Sequence, residues 1–453
     1  MRPPLRPLYA GAVALARGLA AVSGGTTGPV STNKLWRSIQ ARHGLVAQWQ
    51  ARAAAVRDTA RPLVWLHAPS VGEGLQARPV AHALREAMPE AQLAYSFFSP
   101  SAERFAESIG ADLTGYLPFD AAADADALLD ALRPSVLVFV KLDVWPVLVE
   151  RAVRRGVPVM MLSATLAESS GRRAPWSRAL LHDAYAAMAA VGVIDATHGD
   201  RLAELGVPRA RLHHTGDTRF DQVSQRAERV DRASRVLAAT RSDRPTLVAG
   251  STWPADEAVL LPAWEQLRRE LPSARLIIAP HEPTSAHLLP IVEWAKRAGA
   301  RAATLAEVEA VAPEARDGAL HGPRDADVVL VDRVGVLGDL YAHAHVAYVG
   351  GGFHRAGLHS AIEPAAFGAP VLFGPGYGMS REAALLLDAG GARSVRDRDA
   401  LAAALGHWLR DPGSRQVDGT AARAVVAHER GATARSVELV LDVLRHGRGA
   451  PGR

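Results

Sequence analysis

The chain has 453 residues, of which 48% are hydrophobic and 22% are charged. This length suggests two or three domains, and the balance excludes a chain that is mainly disordered. Because cysteine is absent, a disulfide scaffold, a cysteine-ligated metal site and a cysteine nucleophile are excluded. The formal net charge is +5, and its location matters because a surplus concentrated in one segment indicates an acidic partner.

The basic surplus lies in residues 1–60. This segment contains eight basic residues and one acid, which gives it a charge of +7 and leaves the rest of the chain at −2. Its apolar run, residues 8–22, is interrupted by Arg17 and is shorter than the roughly 20 residues of a transmembrane helix. Three interpretations are open: a signal peptide with Arg2 and Arg6 in its basic region, a helix lying on anionic lipid, and a helix docked on the protein core.

From residue 62 the chain alternates short apolar runs with segments of helical periodicity. Strands are predicted at residues 63–67, 93–98, 135–141 and 157–162, with a helix at 74–88. A charged stretch at 222–244 has no strand signal and is interpreted as a linker. Strands resume at 246–250, 275–279, 327–331, 345–350 and 370–373, and residues 420–444 are mostly helical.

These strands are continuous apolar runs, which is typical of a parallel sheet covered by helices on both faces. The sequence therefore predicts an α/β protein with two doubly wound, Rossmann-like domains that face a central cleft. Its predicted parts are a basic N-terminal segment (1–60), an N-terminal domain (61–225), a C-terminal domain (226–420) and a C-terminal helix and tail (421–453). Ligands of such sheets bind at the carboxyl ends of the strands.

The segment 345–380 carries the densest set of site signals. A strand runs into three glycines, 350–352, which let the backbone pass close to a ligand. A helix predicted to begin near His359 or Ser360 would offer free N–H groups to a phosphate. Glu363, in the first turn of that helix, could accept hydrogen bonds from ribose hydroxyls. The alternative is a glycine-rich turn with a capping acid and no ligand.

A second candidate is the turn 70–73, Ser-Val-Gly-Glu, which follows the first predicted strand. A carboxylate at the end of a strand can take a proton from a hydroxyl as a general base, which is one role for Glu73. The same spacing also fits a capping box, in which Ser70 caps the next helix and Glu73 completes the motif. The pattern alone leaves both interpretations open.

Three further motifs carry candidate polar residues: two follow predicted strands, and the one with Arg219 lies at the end of the first domain. Lys141 and Asp143 follow an apolar strand and form either a catalytic or a structural ion pair. Arg219 could balance a developing negative charge, or form a salt bridge in the hinge region. His281 could contact a phosphate or carboxylate. A metal is not predicted at His281, because no second potential ligand lies at suitable spacing.

The chain has no Walker A or G-x-S-x-G motif, and no G-x-G-x-x-G follows its first strand, which argues against a nicotinamide dehydrogenase.

Taken together, these motifs resemble a known family. The segments at 70–73, 143–146, 216–221, 250–253 and 350–375 occur in the order found in the 3-deoxy-D-manno-octulosonic acid (Kdo) transferases, GT-B glycosyltransferases of lipopolysaccharide synthesis. The resemblance runs from about residue 5 to residue 390. It implies inverting, metal-independent transfer of Kdo from CMP-Kdo to a hydroxyl of the lipid A precursor, lipid IVA. The reaction would occur at the cytoplasmic face of the inner membrane of a Gram-negative-type bacterium, with no nucleic-acid partner.

The resemblance also implies roles for particular residues. Glu73 becomes the general base, Asp143 takes the place of a glutamate that supports the transition state, and Arg219 stands where many members have lysine. The contacts to CMP fall on Pro280, His281, Val334, Gly335, Val336, Ser360, Ala361, Ile362 and Glu363. A lipid-linked acceptor favours the interfacial helix among the interpretations of the N-terminus. Residues 61–225 then form the acceptor domain, and residues 226–420 form the CMP-sugar donor domain.

Four motifs depart from the family pattern. Pro-Arg is replaced by Pro280-His281, and Met-Gly-Glu by residues 334–336, Val-Gly-Val. Gly-His-Asn is replaced by residues 358–360, Leu-His-Ser, and Trp-Pro-Asn by residues 145–147, Trp-Pro-Val. Two other functions therefore stay open: a nucleotide-sugar epimerase of GT-B fold, and a non-catalytic protein that binds a sugar nucleotide.

Overall fold

The computed structural model describes residues 5–23, 34–311 and 322–447. The chain divides into two compact units: unit 1 runs to Asp221 and resumes at Arg430, and unit 2 comprises Gln222–Glu429. Each unit contains a seven-stranded sheet, and the strand pairs of both sheets are parallel. Two doubly wound α/β domains are the fold class that the sequence predicts.

The strands in chain order are β1 (Leu63–His67), β2 (Gln92–Phe97), β3 (Leu113–Tyr116), β4 (Val136–Val140), β5 (Val159–Ala164), β6 (Ala190–Val193), β7 (Leu212–His214), β8 (Thr246–Thr252), β9 (Arg275–Pro280), β10 (Ala302–Thr304), β11 (Val328–Leu330), β12 (Val346–Val349), β13 (Val371–Phe373) and β14 (Ala392–Ser394). The helices are α1 (Arg6–Ser23), α2 (Lys34–Gln40), α3 (Leu45–Val56), α4 (Val71–Ala87), α5 (Ala122–Leu132), α6 (Pro146–Arg154), α7 (Pro175–Ala186), α8 (Ala196–Glu204), α9 (Thr218–Arg229), α10 (Arg235–Thr240), α11 (Pro254–Glu270), α12 (Ser285–Arg297), α13 (Leu305–Ala310), α14 (Leu337–Leu340), α15 (Ile362–Ala366), α16 (Arg381–Asp388), α17 (Arg398–Arg410), α18 (Pro412–His428) and α19 (Ala432–Gly447).

The sheet of unit 1 has the order β3-β2-β1-β4-β5-β6-β7. The chain therefore winds outward in one direction from β1 and in the other from β4, and the topological switch point lies between these two strands. Every residue of β1, β2, β4 and β5 is buried, because helices cover both faces of the sheet. The C-terminal helix α19 packs on α4. Its start is fixed by the Asp221 carboxylate, which accepts the N–H groups of Gly431 and Thr433 at 2.6 Å each.

The sheet of unit 2 has the order β10-β11-β9-β8-β12-β13-β14. Its switch point lies between β8 and β12, and β9 borders β8 on the other side. Two apolar clusters cover the sheet: one contains Trp264, Trp294 and Trp408, and the other contains Leu340 and Tyr341. Loops at the carboxyl ends of β8, β9 and β12 therefore lie side by side.

Two predictions about local structure need correction. Residues 222–244, which the sequence suggests are a linker, are mostly helical, because α9 and α10 occupy most of this stretch. Val223 and Leu237 bury their side chains there, and the charged residues between them face outward. The helix predicted to begin near His359 or Ser360 begins at Ile362 and has only five residues.

Helix α1 is docked on unit 1 by polar contacts. The Tyr9 hydroxyl donates to Asp120 at 2.8 Å, and the Arg17 guanidinium donates to Asp124 at 2.8 Å. Burial raises the pKa of Asp120 to about 6, although hydrogen bonds from Val147, Tyr9 and Leu148 act against that rise. In the described ranges, no helix is both long and apolar enough to span a membrane.

Candidate active site

The two carboxylates predicted for catalysis lie at the switch point of the unit 1 sheet. Glu73 is in the first turn of α4, directly after β1. Asp143 lies in the short loop that joins β4 to α6. Since β1 and β4 are neighbouring parallel strands, their carboxyl ends meet at one edge of the sheet, where ligands of such folds bind.

Each oxygen of the Glu73 carboxylate accepts a hydrogen bond from a neighbouring side chain. The Ser70 hydroxyl donates to Oε2, and the Lys141 ammonium donates to Oε1 at 3.2 Å. Burial alone would raise the pKa of Glu73, but the bonds from Ser70 and Lys141 outweigh it and leave the pKa below its ordinary value. Ser70 occupies the N-cap position of α4, yet its side chain makes no capping hydrogen bond. The predicted capping box is therefore not formed.

Asp143 is the end of a buried chain of hydrogen bonds. Its Oδ2 lies 3.0 Å from the Trp145 indole nitrogen and 3.3 Å from His67 Nε2. His67 Nδ1 lies 2.9 Å from Ser96 Oγ, which also accepts the indole N–H of Trp65 at 2.9 Å. Because Ser96 accepts from Trp65, it can give its own proton to His67 Nδ1. That arrangement leaves Nε2–H to donate to Asp143.

The groups around Asp143 stabilise its negative charge. Burial acts to raise the pKa of Asp143, but hydrogen bonds from His67 and Trp145, together with the Arg172 guanidinium 3.7 Å away, lower it below its usual range. The carboxylate is therefore ionised, fixed in orientation and partly exposed. A group of this kind can stabilise developing positive charge without any change in its own protonation.

Arg219 is engaged in the salt bridge that was one of its two sequence interpretations. Its Nε and one terminal nitrogen donate to Oδ2 of the buried Asp217 at 2.9 and 2.7 Å. The start of α9 is also tied to the helix that carries Glu73, because Thr218 Oγ1 donates to the Gln76 carbonyl at 2.9 Å. The structure thus places Arg219 beside α4 and leaves its side chain 31% exposed.

Unit 2 has a stack of aromatic rings at the carboxyl ends of β8, β9 and β12. The Trp253 indole stacks on His354 with ring centres 4.1 Å apart and on His281 at 4.5 Å. His281 also stacks on His359 at 4.6 Å. The Trp253 N–H donates to His359 Nε2 at 3.0 Å. Burial, together with the neighbouring His281, lowers the pKa of His359 to about 4, so this imidazole is neutral at physiological pH.

The glycine-rich loop after β12 is required by backbone packing. A Cβ at Gly350 would collide with the Ser251 carbonyl, and a Cβ at Gly351 would collide with that of Gly357. Gly351 also has a φ of +94°, which disfavours other residues. Close packing of neighbouring loops thus accounts for glycine at these positions without a ligand.

The buried Asp256 carboxylate holds this loop against the turn after β8. It accepts the backbone N–H groups of Gly351 at 2.8 Å, Phe353 at 3.2 Å and Trp253 at 3.0 Å. It also accepts the Tyr348 hydroxyl at 3.1 Å. With its side chain fully buried, Asp256 organises the loops of two adjacent strands.

The predicted contacts to CMP fall into two groups within unit 2. Pro280 ends β9, and His281 joins the ring stack that reaches His359, next to Ser360. The segment 334–336 and Glu363 lie near Arg226, which donates to the Gly335 carbonyl at 3.4 Å. Burial raises the pKa of Glu363, and Arg226 opposes that rise. Ala361 and Ile362 are buried and connect the two groups.

Comparison with known proteins decides the family. A sequence model described as 3-Deoxy-D-manno-octulosonic-acid transferase (kdotransferase) matches residues 38–222. A 3-deoxy-D-manno-octulosonic acid transferase of Bordetella pertussis is 31% identical over 430 residues, which cover 90% of this chain and 95% of that protein. This chain belongs to the Kdo transferase family. It is therefore a glycosyltransferase. A relative of the same description from Haemophilus influenzae is 25% identical over 381 residues, 83% of this chain and 86% of that one.

Two of the solved structures that match the fold of this chain are described as UDP-GlcNAc 2-epimerases. The UDP-GlcNAc 2-epimerase from Neisseria meningitidis bound to UDP-GlcNAc has a TM-score of 0.59 at 14% identity, with coverage of 84% of this chain and 100% of that one. A putative UDP-N-acetylglucosamine 2-epimerase from Listeria monocytogenes has a TM-score of 0.58 at 12% identity, with coverage of 86% and 98%. At this identity the likeness shows the fold alone, which is the predicted GT-B class.

Three features of this Kdo transferase were missed by sequence reasoning. The first is the chain that links His67 and Ser96 to Asp143, and the second is the stack around Trp253. The third is Asp256, for which a signal exists: it is the third residue of a helix that begins with proline, where an acid is favoured. Within the described part of the chain, no group of three or more potential ligand side chains is arranged to hold a metal ion.

Proposed function

We propose that this protein transfers Kdo from CMP-Kdo to a hydroxyl of the lipid A precursor, lipid IVA, with inversion and without a metal. The observation that carries the proposal is the Glu73 carboxylate, which is kept ionised at the switch point of the unit 1 sheet by Ser70 and Lys141. The choice of sugar follows from membership of the family.

In the proposed reaction Glu73 acts as the general base. A carboxylate offers about four acceptor sites, and the bonds from Ser70, Lys141 and the backbone of Glu73 itself leave one of them for an acceptor hydroxyl. Glu73 takes the hydroxyl proton as the acceptor oxygen bonds to the anomeric carbon of Kdo. The bond from that carbon to the phosphate oxygen breaks at the same time, and CMP departs with its electron pair.

Asp143 and Arg219 are proposed to stabilise opposite charges in this step. The ionised Asp143 supports the positive charge that develops on the sugar ring. Arg219 offsets the negative charge on the departing CMP, with its guanidinium oriented by the buried Asp217. Fixed charges of this kind act without reorganisation at the moment of reaction.

Unit 2 is proposed to bind the donor nucleotide. Its phosphate would lie near Ser360 and His281, and the ribose hydroxyls would donate to Glu363. A ribose is a suitable partner for Glu363, since burial raises the pKa of this carboxyl and added hydrogen bonds would stabilise its charge. Pro280 and residues 334–336 would contribute through their backbones, and Ala361 and Ile362 would position the turn.

The membrane surface is the proposed location of the enzyme. Helix α1 carries three leucines whose side chains point away from the protein: Leu8, Leu15 and Leu19 are 71%, 68% and 45% exposed. An exposed apolar face on a segment with a charge of +7 is typical of a helix that lies on anionic lipid. We assign this surface to the cytoplasmic face of the inner membrane, where a lipid-linked acceptor would be found.

The direct test is to incubate the purified protein with CMP-Kdo and lipid IVA and to measure the product masses. The proposal predicts lipid products heavier by one or more Kdo residues and free CMP. Conversion of a soluble nucleotide sugar in the absence of lipid would instead indicate an epimerase. Binding of CMP with no turnover on any lipid acceptor would indicate a non-catalytic binding protein.

A further inference from the structure

We propose that Lys141 is a positioning residue of the transfer reaction, whose ammonium group keeps the Glu73 carboxylate charged and correctly oriented for the acceptor hydroxyl. This inference rests on the proposed function in one respect, the role of Glu73 as the base. Neither the sequence motif around Lys141 nor its position directly after β4 assigns this positioning role by itself.

The first support is the geometry of the ion pair. Lys141 Nζ lies 3.2 Å from Glu73 Oε1, although the two residues are 68 positions apart in the chain. Lys141 directly follows β4, and Glu73 follows the neighbouring strand β1. The pair therefore bridges the switch point of the sheet, where the carboxyl ends of both strands meet.

The second support is the backbone of Lys141. Its φ is +71°, in the left-handed region that residues with a Cβ rarely adopt. Its N–H still donates to the Leu162 carbonyl at 2.8 Å, so strand pairing continues to this residue and the chain turns sharply there. Among the described residues other than glycine, Arg133, Ser163 and Ser251 also have positive φ values. Unfavourable backbone conformations concentrate at functional positions, and here the turn aims a lysine at the base.

The third support is the electrostatic effect of the pair. Burial of Glu73 favours the protonated acid, which cannot act as a base. The bonds from Ser70 and Lys141 reverse that preference and lower the pKa of Glu73. Of these two partners only Lys141 carries a charge. A lower pKa makes Glu73 a weaker intrinsic base, but it keeps the carboxylate ionised when the pH falls.

Other titratable groups on the elements packed around α4 include His67, Asp143, Tyr95, Glu107 and Arg435. His67 and Asp143 bond to each other, and Arg435 donates to the Thr215 carbonyl. Glu107 is exposed. The Tyr95 hydroxyl is buried with no hydrogen-bond partner in the part of the chain that is described. Burial and the nearby Glu73 raise the pKa of Tyr95 above its ordinary value, so this side chain carries no charge at neutral pH.

The experiment compares three substitutions of Lys141 in the full-length protein. Lys141→Met and Lys141→Gln remove the charge and keep a Cβ at the strained position, and glutamine also keeps a hydrogen-bond donor. Lys141→Arg keeps the charge and is the matched control. Carbon-13 NMR of protein labelled at the glutamate side-chain carboxyls, with Glu73 assigned through Glu73→Gln, follows the titration of Glu73. The pH profile of kcat/KM is measured in parallel.

The neutral variants should raise the titration midpoint of Glu73 by up to about one pH unit, because a contacting opposite charge is removed and solvent screens a lysine that is 41% exposed. The acid limb of kcat/KM should move upward by the same amount, and Lys141→Arg should restore both midpoints. An unchanged Glu73 midpoint in both neutral variants would overturn the proposal. So would a shifted midpoint without movement of the acid limb. If the wild-type protein transferred no Kdo, the proposed function would fail, and the NMR titration would still decide whether Lys141 controls the charge of Glu73.

Discussion

The Trp253 indole donates its N–H to Nε2 of His359 over 3.0 Å. This bond fixes the tautomer of His359, because a nitrogen that accepts a hydrogen bond carries no proton. The remaining proton of the neutral ring is therefore on Nδ1. The bond and the burial of the ring act in the same direction and favour the uncharged imidazole.

His359 should accordingly titrate near pH 4, where burial places its pKa. An unfolded histidine takes up its proton near pH 6.5, so this residue makes the folded state less stable as the pH falls from 6.5 towards 4. Nitrogen-15 NMR of the imidazole measures the midpoint directly. Trp253→Phe keeps a stacking ring and removes the hydrogen-bond donor, so it should raise the titration midpoint of His359. A midpoint near 6.5 in the wild-type protein would contradict the low pKa assigned to His359.

His281 should contribute to donor binding. If it contacts the phosphate of CMP, His281→Ala should weaken CMP binding by about tenfold or more, the effect of losing one hydrogen bond to a charged group. Isothermal titration calorimetry measures this. His354→Ala is the matched control, because His354 stacks on the same indole and is outside the predicted donor contacts. Equal losses in both variants would show that only the stack matters.

Asp256 should be important for the stability of unit 2. Asp256→Ala leaves three backbone N–H groups and the Tyr348 hydroxyl without their acceptor. We expect the free energy of unfolding of unit 2 to fall by at least about 3 kcal/mol, given the cost of unsatisfied buried donors. Hydrogen exchange in residues 350–359 should accelerate most. Tyr348→Phe loses only one of these bonds and serves as the control, and comparable effects of the two variants would contradict this role.

Helix α1 should control binding to anionic membranes. Deletion of residues 1–24 should weaken binding to anionic liposomes, since each basic residue near the surface contributes about 1 kcal/mol. CMP binding should not change. Serine in place of Leu8, Leu15 and Leu19 preserves the charge and the contacts of Tyr9 and Arg17, and so tests the apolar face separately. Binding is measured by co-sedimentation with liposomes. Equal binding by the truncated and full-length proteins would show that α1 is not the membrane-binding surface.

Much of the fold follows from the sequence because its central strands are continuous apolar runs. The predicted strand at 63–67 coincides with β1, and those leading to β2, β4, β5, β8 and β9 differ from the observed bounds by only a few residues. Strands β3, β6, β7, β10 and β14 were not predicted. They have three or four residues each and contain glycine, histidine or small residues, so pairing with a neighbour stabilises them more than their own composition does.

The candidate site was predicted in part for the same reason. Glu73 and Asp143 follow apolar strands, and this position is visible in a sequence. Their partners are not visible, because the bond from Lys141 to Glu73 and that from His67 to Asp143 join residues 68 and 76 positions apart. Such contacts depend on the alignment of neighbouring strands. The stack around Trp253 joins three loops and depends on that alignment in the same way.

The role of Glu73 is tested most directly by the single-turnover rate of Kdo transfer in Glu73→Gln. With CMP-Kdo and lipid IVA at saturating concentrations, we expect the rate to fall by about 10²–10⁴-fold, the usual effect of losing a general base. Affinity for CMP should be unchanged. Ser70→Ala, which removes one bond to the carboxylate and keeps the base, should lose much less. A rate for Glu73→Gln close to that of the wild-type protein would contradict the proposed mechanism.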